Sequence, residues 1–301
     1  MRALHIIAPF AEEIAAQLDR SLPGLEVRTA NSLAEIDAEL PGIEALAVFP
    51  GQLDQGRIDR MGKLRWLQAL TSGLEALEGL DLGKVEVTSM AGIQGPQMAE
   101  LAFLFMLGLR RDFRGILARQ ARKEWRPSPQ PGLAGSHAVI VGTGHVAQAI
   151  AARCRAFEMR VTGISRSPRA IAGFDRIVAR EELANAAREA DFLIVATALD
   201  VSSRMLVSAE VIHALPADAA LINIARGNVV DEAALLEALR NGAIAGAGLD
   251  VFGQEPLPRD SGFWGLPNVL ITPHIGGWST SSAARMAEVI AANAGRRLAN
   301  D

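Results

Sequence analysis

Short apolar runs alternate along this chain with stretches whose apolar residues recur at helical spacing. In the first part the runs are Leu4–Ala8, Leu25–Val27, Ala45–Phe49, Leu64–Leu70 and Val85–Thr88. Most are continuously hydrophobic, as a strand covered on both faces requires. Between them Ala11–Leu18, Leu33–Leu40 and Ile58–Met61 read as helices or turns. The rhythm resumes with His137–Val141, Met159–Ile164, Phe192–Ala196, Ala219–Ile224, Ala245–Asp250 and Val269–Thr272. Strands alternating with helical segments predict an α/β fold with parallel sheets between helical layers.

The helical stretches differ in character. Pro96–Arg111 opens with a proline suited to a first helical turn. Its Met98, Leu101, Ala102, Phe105 and Leu109 form one apolar face, and Phe103, Leu104, Met106 and Leu107 extend it nearly all round. Such a helix is buried on several sides. A basic helix, Arg114–Trp125, follows, and then a connection spaced by Pro127, Pro129 and Pro131. Neither has an evident place in a sheet, and apolar surface of this kind belongs to two-fold interfaces. A homodimer is therefore expected. Asp231 reads as the N-cap of a helix Glu232–Arg240, with Gly242 just past its end. An amphipathic helix, Ser279–Leu298, follows the last strand and is expected to cross back to the first domain.

Composition narrows the function classes. The 301 residues are enough for two domains. Thirty basic residues against 34 acidic ones give a net charge of −4, without the basic stripe of a nucleic-acid binder. The single cysteine, Cys154, cannot close an internal disulfide, so a reducing compartment and a buried structural thiol are expected. The start, MRALHIIAPF, reads as a first strand and not as a signal peptide. The longest apolar segment, Leu101–Leu109, is too short to span a bilayer. A soluble, cytoplasmic protein without membrane or nucleic-acid partners is expected.

Chemistry concentrates after residue 136. The run His137–Val141 leads into Gly142-Thr143-Gly144-His145-Val146-Ala147, then a helical pattern, then the run Met159–Ile164. A G-x-G-x-x-A turn between strand and helix is the setting for dinucleotide binding. Gly142 permits the tight turn, Gly144 lets backbone approach a pyrophosphate, and Ala147 keeps the helix close to the sheet. The helix start offers N–H groups and a positive dipole end. His145 and Val146 sit within reach of the same phosphates. His5, His137 and His213 read as structural or solvated, and no histidine spacing suggests a metal site.

The strand after this helix ends in Ser165-Arg166-Ser167-Pro168-Arg169, and no carboxylate appears before Asp175. NAD specificity normally uses an acid here, about 20 residues past the glycines, to bind the ribose 2′-hydroxyl. An arginine at this point attracts a 2′-phosphate instead. The predicted cofactor is NADP, with NAD possible.

Three later stretches sit at carboxyl ends of predicted strands, where open α/β sheets bind ligands. They are Asn223-Ile224-Ala225-Arg226-Gly227, Gly248–Phe252 continuing to Glu255-Pro256, and Thr272-Pro273-His274-Ile275-Gly276-Gly277. A carbonyl substrate that accepts hydride needs a nearby proton donor, for which histidine is suited. A carboxylate beside the histidine fixes its tautomer, and an arginine grips a substrate carboxylate in two-pronged fashion. Arg226, Glu255 and His274 supply that set. Singly, Arg226 also fits a solvated strand-end charge, Glu255 a turn residue and His274 a hydrogen-bonded loop histidine. Their common placement at strand ends argues for one shared task.

The order and spacing of the glycine turn, NIARG, GLDVF followed by EP, and TPHIGG resemble the D-isomer-specific 2-hydroxyacid dehydrogenases, most closely the glyoxylate/hydroxypyruvate reductase branch. The resemblance covers nearly the whole chain and is most specific in residues 136–280. It implies two doubly wound parallel-sheet domains: a Rossmann dinucleotide-binding domain over 96–278 and a smaller flavodoxin-like substrate domain over 1–95 and 279–301. It implies a 2-ketoacid reductase in which Arg226, Glu255 and His274 are catalytic, with Arg226 and His274 also holding the substrate. It assigns Asp250 to the nicotinamide carboxamide, Ser72 and Gly73 of the Thr71–Leu74 loop to the substrate carboxylate, and Ala198, Ala225 and Gly276 to the cofactor. Met98-Ala99-Glu100 matches the family's helix start after the first domain. One departure stands out. Where the family commonly has proline-leucine-threonine, this chain has Ala198-Leu199-Asp200. Leu53, Trp264 and Trp278 are candidates for the substrate's side-chain pocket. Two other readings stay open: a dinucleotide-sensing protein like the corepressors that resemble this family, and an NAD-dependent phosphoglycerate-type dehydrogenase. The missing flanking arms and the missing domain after residue 301 count against them.

Overall fold

The computed structural model describes residues 3–298. The chain divides into two compact units, Met1–Ile93 with Trp278–Asp301, and Gln94–Gly277.

The smaller unit begins with β1 (Ala3–Ile7), α1 (Ala11–Ser21), β2 (Glu26–Ala30), β3 (Ala45–Val48), α2 (Gln55–Arg60), β4 (Trp66–Ala69) and β5 (Glu86–Thr88). The strands pair in parallel in the order β2-β1-β3-β4-β5. This is the flavodoxin-like winding that the resemblance implies. The stretch Leu33–Leu40, read as helix or turn, is a kinked 3-10 segment, Leu33–Gly42, in which Ile36 leaves helical geometry and Pro41 lies inside. Asp54 caps α2 by accepting from the Arg57 N–H at 2.9 Å.

The larger unit holds α3 (Gly95–Arg110), α4 (Phe113–Ala121), β6 (His137–Val141), α5 (His145–Ala156), β7 (Arg160–Ser165), β8 (Arg176–Ala179), α6 (Leu183–Ala187), β9 (Phe192–Val195), α7 (Ala209–Ala214), β10 (Ala220–Asn223), α8 (Glu232–Arg240), β11 (Gly246–Leu249) and β12 (Val269–Ile271). Its sheet runs β12-β11-β10-β9-β6-β7-β8, all parallel. The order reverses direction at β6, the switch point of a Rossmann winding. Alternate strand residues enter opposite cores: Val139 and Val141 face one, Ala138 and Ile140 the other. That two-sided burial is why the strands read as unbroken apolar runs. β8 escapes the hydrophobic pattern because it is an edge strand with only Ile177 and Val178 as large apolar residues. Asp231 caps α8 through the Ala234 N–H at 3.0 Å, and Gly242 follows with φ +66°.

Helix α3 corrects one expectation. Its apolar faces are covered largely by its own unit, with Ala99, Leu101, Ala102, Phe103, Phe105 and Met106 buried. Gly248 makes the fit possible, since a Cβ there would stand 2.4 Å from the Phe105 ring. Uncovered apolar surface remains on α3 at Leu104 and Leu107, and it continues on α4, which buries no residue, and on the extended segment after it. The basic helix stops at Ala121, and residues 122–132 run irregular and exposed.

Helix α9 (Ser282–Leu298) belongs to the smaller unit, where Met286, Ala287, Ile290 and Ala294 join Ile14 and Leu18 of α1 in one core. A buried polar chain pins it to the sheet: Asn293 donates to Gln68 Oε1 at 2.7 Å, and Thr88 donates to the same oxygen at 2.8 Å. Buried amides require such partners. Among the described residues no helix is long and apolar enough to cross a membrane, and no cluster of metal-ligating side chains occurs.

Candidate active site

The glycine turn is shaped by backbone contact. Gly142 has φ +112°, and a Cβ there would lie 2.5 Å from the Ala196 carbonyl oxygen. Its N–H donates to Ile164 at 2.9 Å, tying the turn to β7. Gly144 is the N-cap of α5, and no side chain caps that helix. Nothing lies within 4 Å of where its Cβ would be. An uncapped helix start with open space above it fits a dinucleotide's pyrophosphate. Ala147 is fully buried, and α3 approaches closely where a Cβ on Gly95 would meet Ala149 at 3.3 Å. Val146 packs on the same core, while His145 is exposed at the helix start. Thr143 Oγ1 lies 3.5 Å from Ser165 Oγ.

Beyond β7, Ser165 Oγ accepts from the Ser167 N–H at 3.2 Å, and Arg166 and Arg169 are exposed. The loop after β9 also reaches this point. Arg166 Nη1 lies 3.3 Å from Asp200 Oδ2. Ala198, on that loop, is exposed, and its carbonyl accepts from Ser203 Oγ at 2.8 Å.

Arg226, Glu255 and His274 stand on three loops that leave β10, β11 and β12 in turn. His274 Nδ1 is 2.6 Å from Glu255 Oε2. Glu255 is itself placed by the Phe252 N–H, which donates to Oε1 at 2.9 Å. Engagement of Nδ1 by a carboxylate puts the proton there in the neutral ring and leaves Nε2 for an incoming group. Arg226 is half-buried, with Nη1 donating to the Ala225 carbonyl at 2.7 Å. Gly227 joins the Arg226 loop to the Glu255 loop. A Cβ on Gly227 would fall 1.9 Å from the Phe252 carbonyl carbon and 2.1 Å from the Gly253 nitrogen. Only glycine lets the two backbones touch, so the loop that carries Arg226 is held against the loop that carries Glu255.

Several positioning residues carry no motif-level signal of that role. Buried Asn223 accepts from the Ala225 N–H at 3.1 Å and donates to the Arg226 carbonyl at 3.0 Å, clamping the turn. Glu232 Oε1 accepts from the Gly253 N–H at 2.7 Å. Burial holds the Glu232 carboxyl above the usual carboxylate range, and the charge of Glu255 adds to the effect. Asp250 organises the histidine loop. Its carboxylate accepts from Thr272 Oγ1 at 2.5 Å and from the N–H groups of Ile275 and Gly276 at 2.9 Å each. Its carbonyl accepts from the His274 N–H at 2.8 Å. These bonds hold His274 at φ +53°, a left-handed conformation that a residue with a Cβ adopts at a cost. Gly276 is buried, where a Cβ would crowd Leu101 and Asp250.

The other candidates separate clearly. In the smaller unit, Ser72 Oγ donates to the Met90 carbonyl at 3.1 Å and Thr71 Oγ1 to that of Gly73 at 2.6 Å, so the loop after β4 is held. Leu53 is buried with Ile58, Met61 and Leu64 in the core of that unit. Trp278, also there, stacks on Phe49 at 6.4 Å. Trp264 belongs to the larger unit, where its Nε1 donates to the Pro258 carbonyl at 2.8 Å. Cys154 is fully buried in the core, and burial pushes its thiol up to about 12, so it is an inert packing group. His137 bridges the Glu189 carbonyl and Thr162 Oγ1 at 2.9 and 2.8 Å, a structural role.

Comparison with known proteins places this geometry. Residues 103–276 match the family model described as D-isomer specific 2-hydroxyacid dehydrogenase, NAD binding domain. The chain is 33% identical over 263 residues to a glyoxylate reductase of Pyrococcus horikoshii, covering 83% of this chain and 78% of that protein. Among solved structures, a D-isomer specific 2-hydroxyacid dehydrogenase family protein from Aeromonas salmonicida superposes with a TM-score of 0.92 at 31% identity, over 100% of this chain and 96% of that one. A glyoxylate/hydroxypyruvate reductase from Sinorhizobium meliloti, described as NADPH-dependent and solved with NADP and sulfate, superposes with a TM-score of 0.84 at 28% identity, over 96% and 93%.

Proposed function

We propose that this chain, which belongs to the D-isomer specific 2-hydroxyacid dehydrogenases, is an NADPH-dependent reductase of small 2-ketoacids of the glyoxylate and hydroxypyruvate type. It is an NAD(P)-dependent oxidoreductase with a nicotinamide dinucleotide as cofactor. The observation that carries the finer reading is the 2.6 Å contact between His274 Nδ1 and Glu255, on a loop held against that of Arg226. The dinucleotide, when bound, supplies hydride to the keto carbon or takes it from the hydroxy carbon. His274 gives a proton from Nε2 to the carbonyl oxygen, or takes it back in the reverse direction. Glu255 stabilises the charged ring and keeps Nδ1 protonated. Arg226 holds the carboxylate and carbonyl oxygens of the substrate and so fixes which carbon faces the hydride. Gly142, Thr143, Gly144 and the start of α5 take the pyrophosphate, and Ser165, Arg166 and Ser167 take the 2′-phosphate.

The reading of Arg166 is tested by its removal. A charge-assisted hydrogen bond is worth about 1.5–3 kcal/mol, or about 10- to 150-fold in affinity. Arg166→Ala should raise KM for NADPH within that range and leave KM for NADH almost unchanged. A wild type that prefers NADH, or a variant that loses both cofactors equally, would sink the assignment. The substrate class is tested alongside, by turnover of glyoxylate, hydroxypyruvate and pyruvate with both reduced cofactors.

We also propose a homodimer. On α4 and beyond, Phe113, Leu117 and Trp125 are 50, 49 and 97% exposed, and apolar groups of that size gathered in one segment mark an interface. Light scattering should give about twice the 32.0 kDa chain mass at micromolar concentration. A value near the single chain would contradict the proposal.

A further inference from the structure

The loop after β9 departs from the family pattern by placing a carboxylate, Asp200, where the resemblance expects an uncharged threonine. The structure shows where that carboxylate goes. Asp200 Oδ2 lies 3.3 Å from Arg166 Nη1. Asp200 Oδ1 accepts from the Ser202 N–H at 2.8 Å and from Ser202 Oγ at 2.6 Å, so the carboxylate is aimed and not merely near. A second guanidinium stands behind it. Arg180, following β8, donates through Nη1 to the Ser202 carbonyl at 3.0 Å and to Ser202 Oγ at 2.8 Å. Burial first, and then the charge of Arg166, hold Arg180 below its usual basicity. Two cations close enough to repel therefore flank one carboxylate, Arg166 paired with Asp200 directly and Arg180 bonded to the Ser202 that Asp200 holds.

Topology gives the cluster its meaning. In the sheet β6 lies between β9 and β7, so an ion pair from the β9 loop to the β7 loop crosses the end of β6 and the glycine turn. This is the switch point, where ligands of open α/β sheets bind. Two guanidiniums alone would present two positive charges to a 2′-phosphate of about −1.5 to −2. With Asp200 present the net positive charge is halved, and the phosphate must compete with a resident anion for Arg166.

We infer that Asp200 is a specificity-determining residue: a built-in counter-ion on Arg166 that moderates the preference for a 2′-phosphorylated cofactor over its unphosphorylated counterpart. The inference rests on the reading of Arg166 as the 2′-phosphate contact. Asp200→Asn keeps the side-chain shape and an oxygen for Ser202 and removes only the charge. Asp200→Thr restores the residue that the resemblance expects.

The probes are 2′,5′-ADP and 5′-AMP, which differ in the 2′-phosphate alone, titrated calorimetrically against the full chain. Both variants should bind 2′,5′-ADP more tightly by about two- to five-fold, the worth of one exposed ion pair. Affinity for 5′-AMP should move by less than the change for 2′,5′-ADP, so the ratio of the two constants rises. In an Arg166→Ala background the same substitutions should give a smaller gain, because the competition they relieve has gone. A ratio unchanged by both variants, in a protein where Arg166→Ala still weakens 2′,5′-ADP, overturns the inference and leaves the NADP reading standing. A wild type indifferent to the 2′-phosphate and to Arg166→Ala overturns the NADP reading, and the inference with it.

Discussion

His274→Ala should lower kcat by about 10²- to 10⁴-fold, the usual contribution of a positioned general acid. The argument is geometric. Nδ1 is engaged by Glu255 at 2.6 Å, so Nε2 is the nitrogen left to face a carbonyl oxygen. Alanine removes the proton donor without disturbing the bonds that hold the loop, because these run through backbone: the residue 274 N–H to the Asp250 carbonyl, and the Ile275 and Gly276 N–H groups to its carboxylate. The residue also sits at φ +53°, a region that histidine enters more readily than alanine, so a small loss of stability accompanies the variant. Dinucleotide affinity, followed by fluorescence titration, should therefore stay close to wild type while turnover collapses. Near-wild-type kcat in this variant would remove His274 from the mechanism.

Gly227→Ala should be nearly as damaging without touching a reactive group. The added Cβ would lie 1.9 Å from the Phe252 carbonyl carbon and 2.1 Å from the Gly253 nitrogen. Both obstacles are backbone, so no rotamer change relieves the overlap. The loops of Arg226 and Glu255 must move apart, and Glu232 and Asn223, which hold them from either side, resist the movement. Overpacking of this kind costs about 1–3 kcal/mol of stability. A displacement of about 1 Å at a reacting group costs about 10²-fold in rate. The expected result is a kcat/KM reduced by about 10²-fold, with a lowered Tm and a folded far-UV spectrum. A fully active Gly227→Ala would show that the contact between the two loops is not needed to place Arg226.

Local pattern carried much of this molecule. Apolar runs marked the described strands other than β8, including the half-exposed β2 and β5, and the parallel pairing of both sheets follows from strands alternating with helices that cross over. The glycine turn was legible because steric demand at Gly142 is a local property of one tight turn. Arg226, Glu255 and His274 were legible as residue types at strand ends, since the end of a parallel strand is a position that sequence marks.

What sequence alone did not determine are the contacts between loops, which depend on strand order and not on spacing. No acid follows Arg166 for several residues, yet Asp200 reaches it because β9 and β7 flank β6 in the sheet. Asp250 organises the loop of His274 because β11 and β12 are neighbours in register. Gly227 matters through a backbone that approaches it from another loop, not through any turn of its own. Leu53 and α3 show the same limit for apolar residues. Hydrophobicity says that a side chain will be covered, and only the packed sheet decides whether core, ligand or a second chain does the covering.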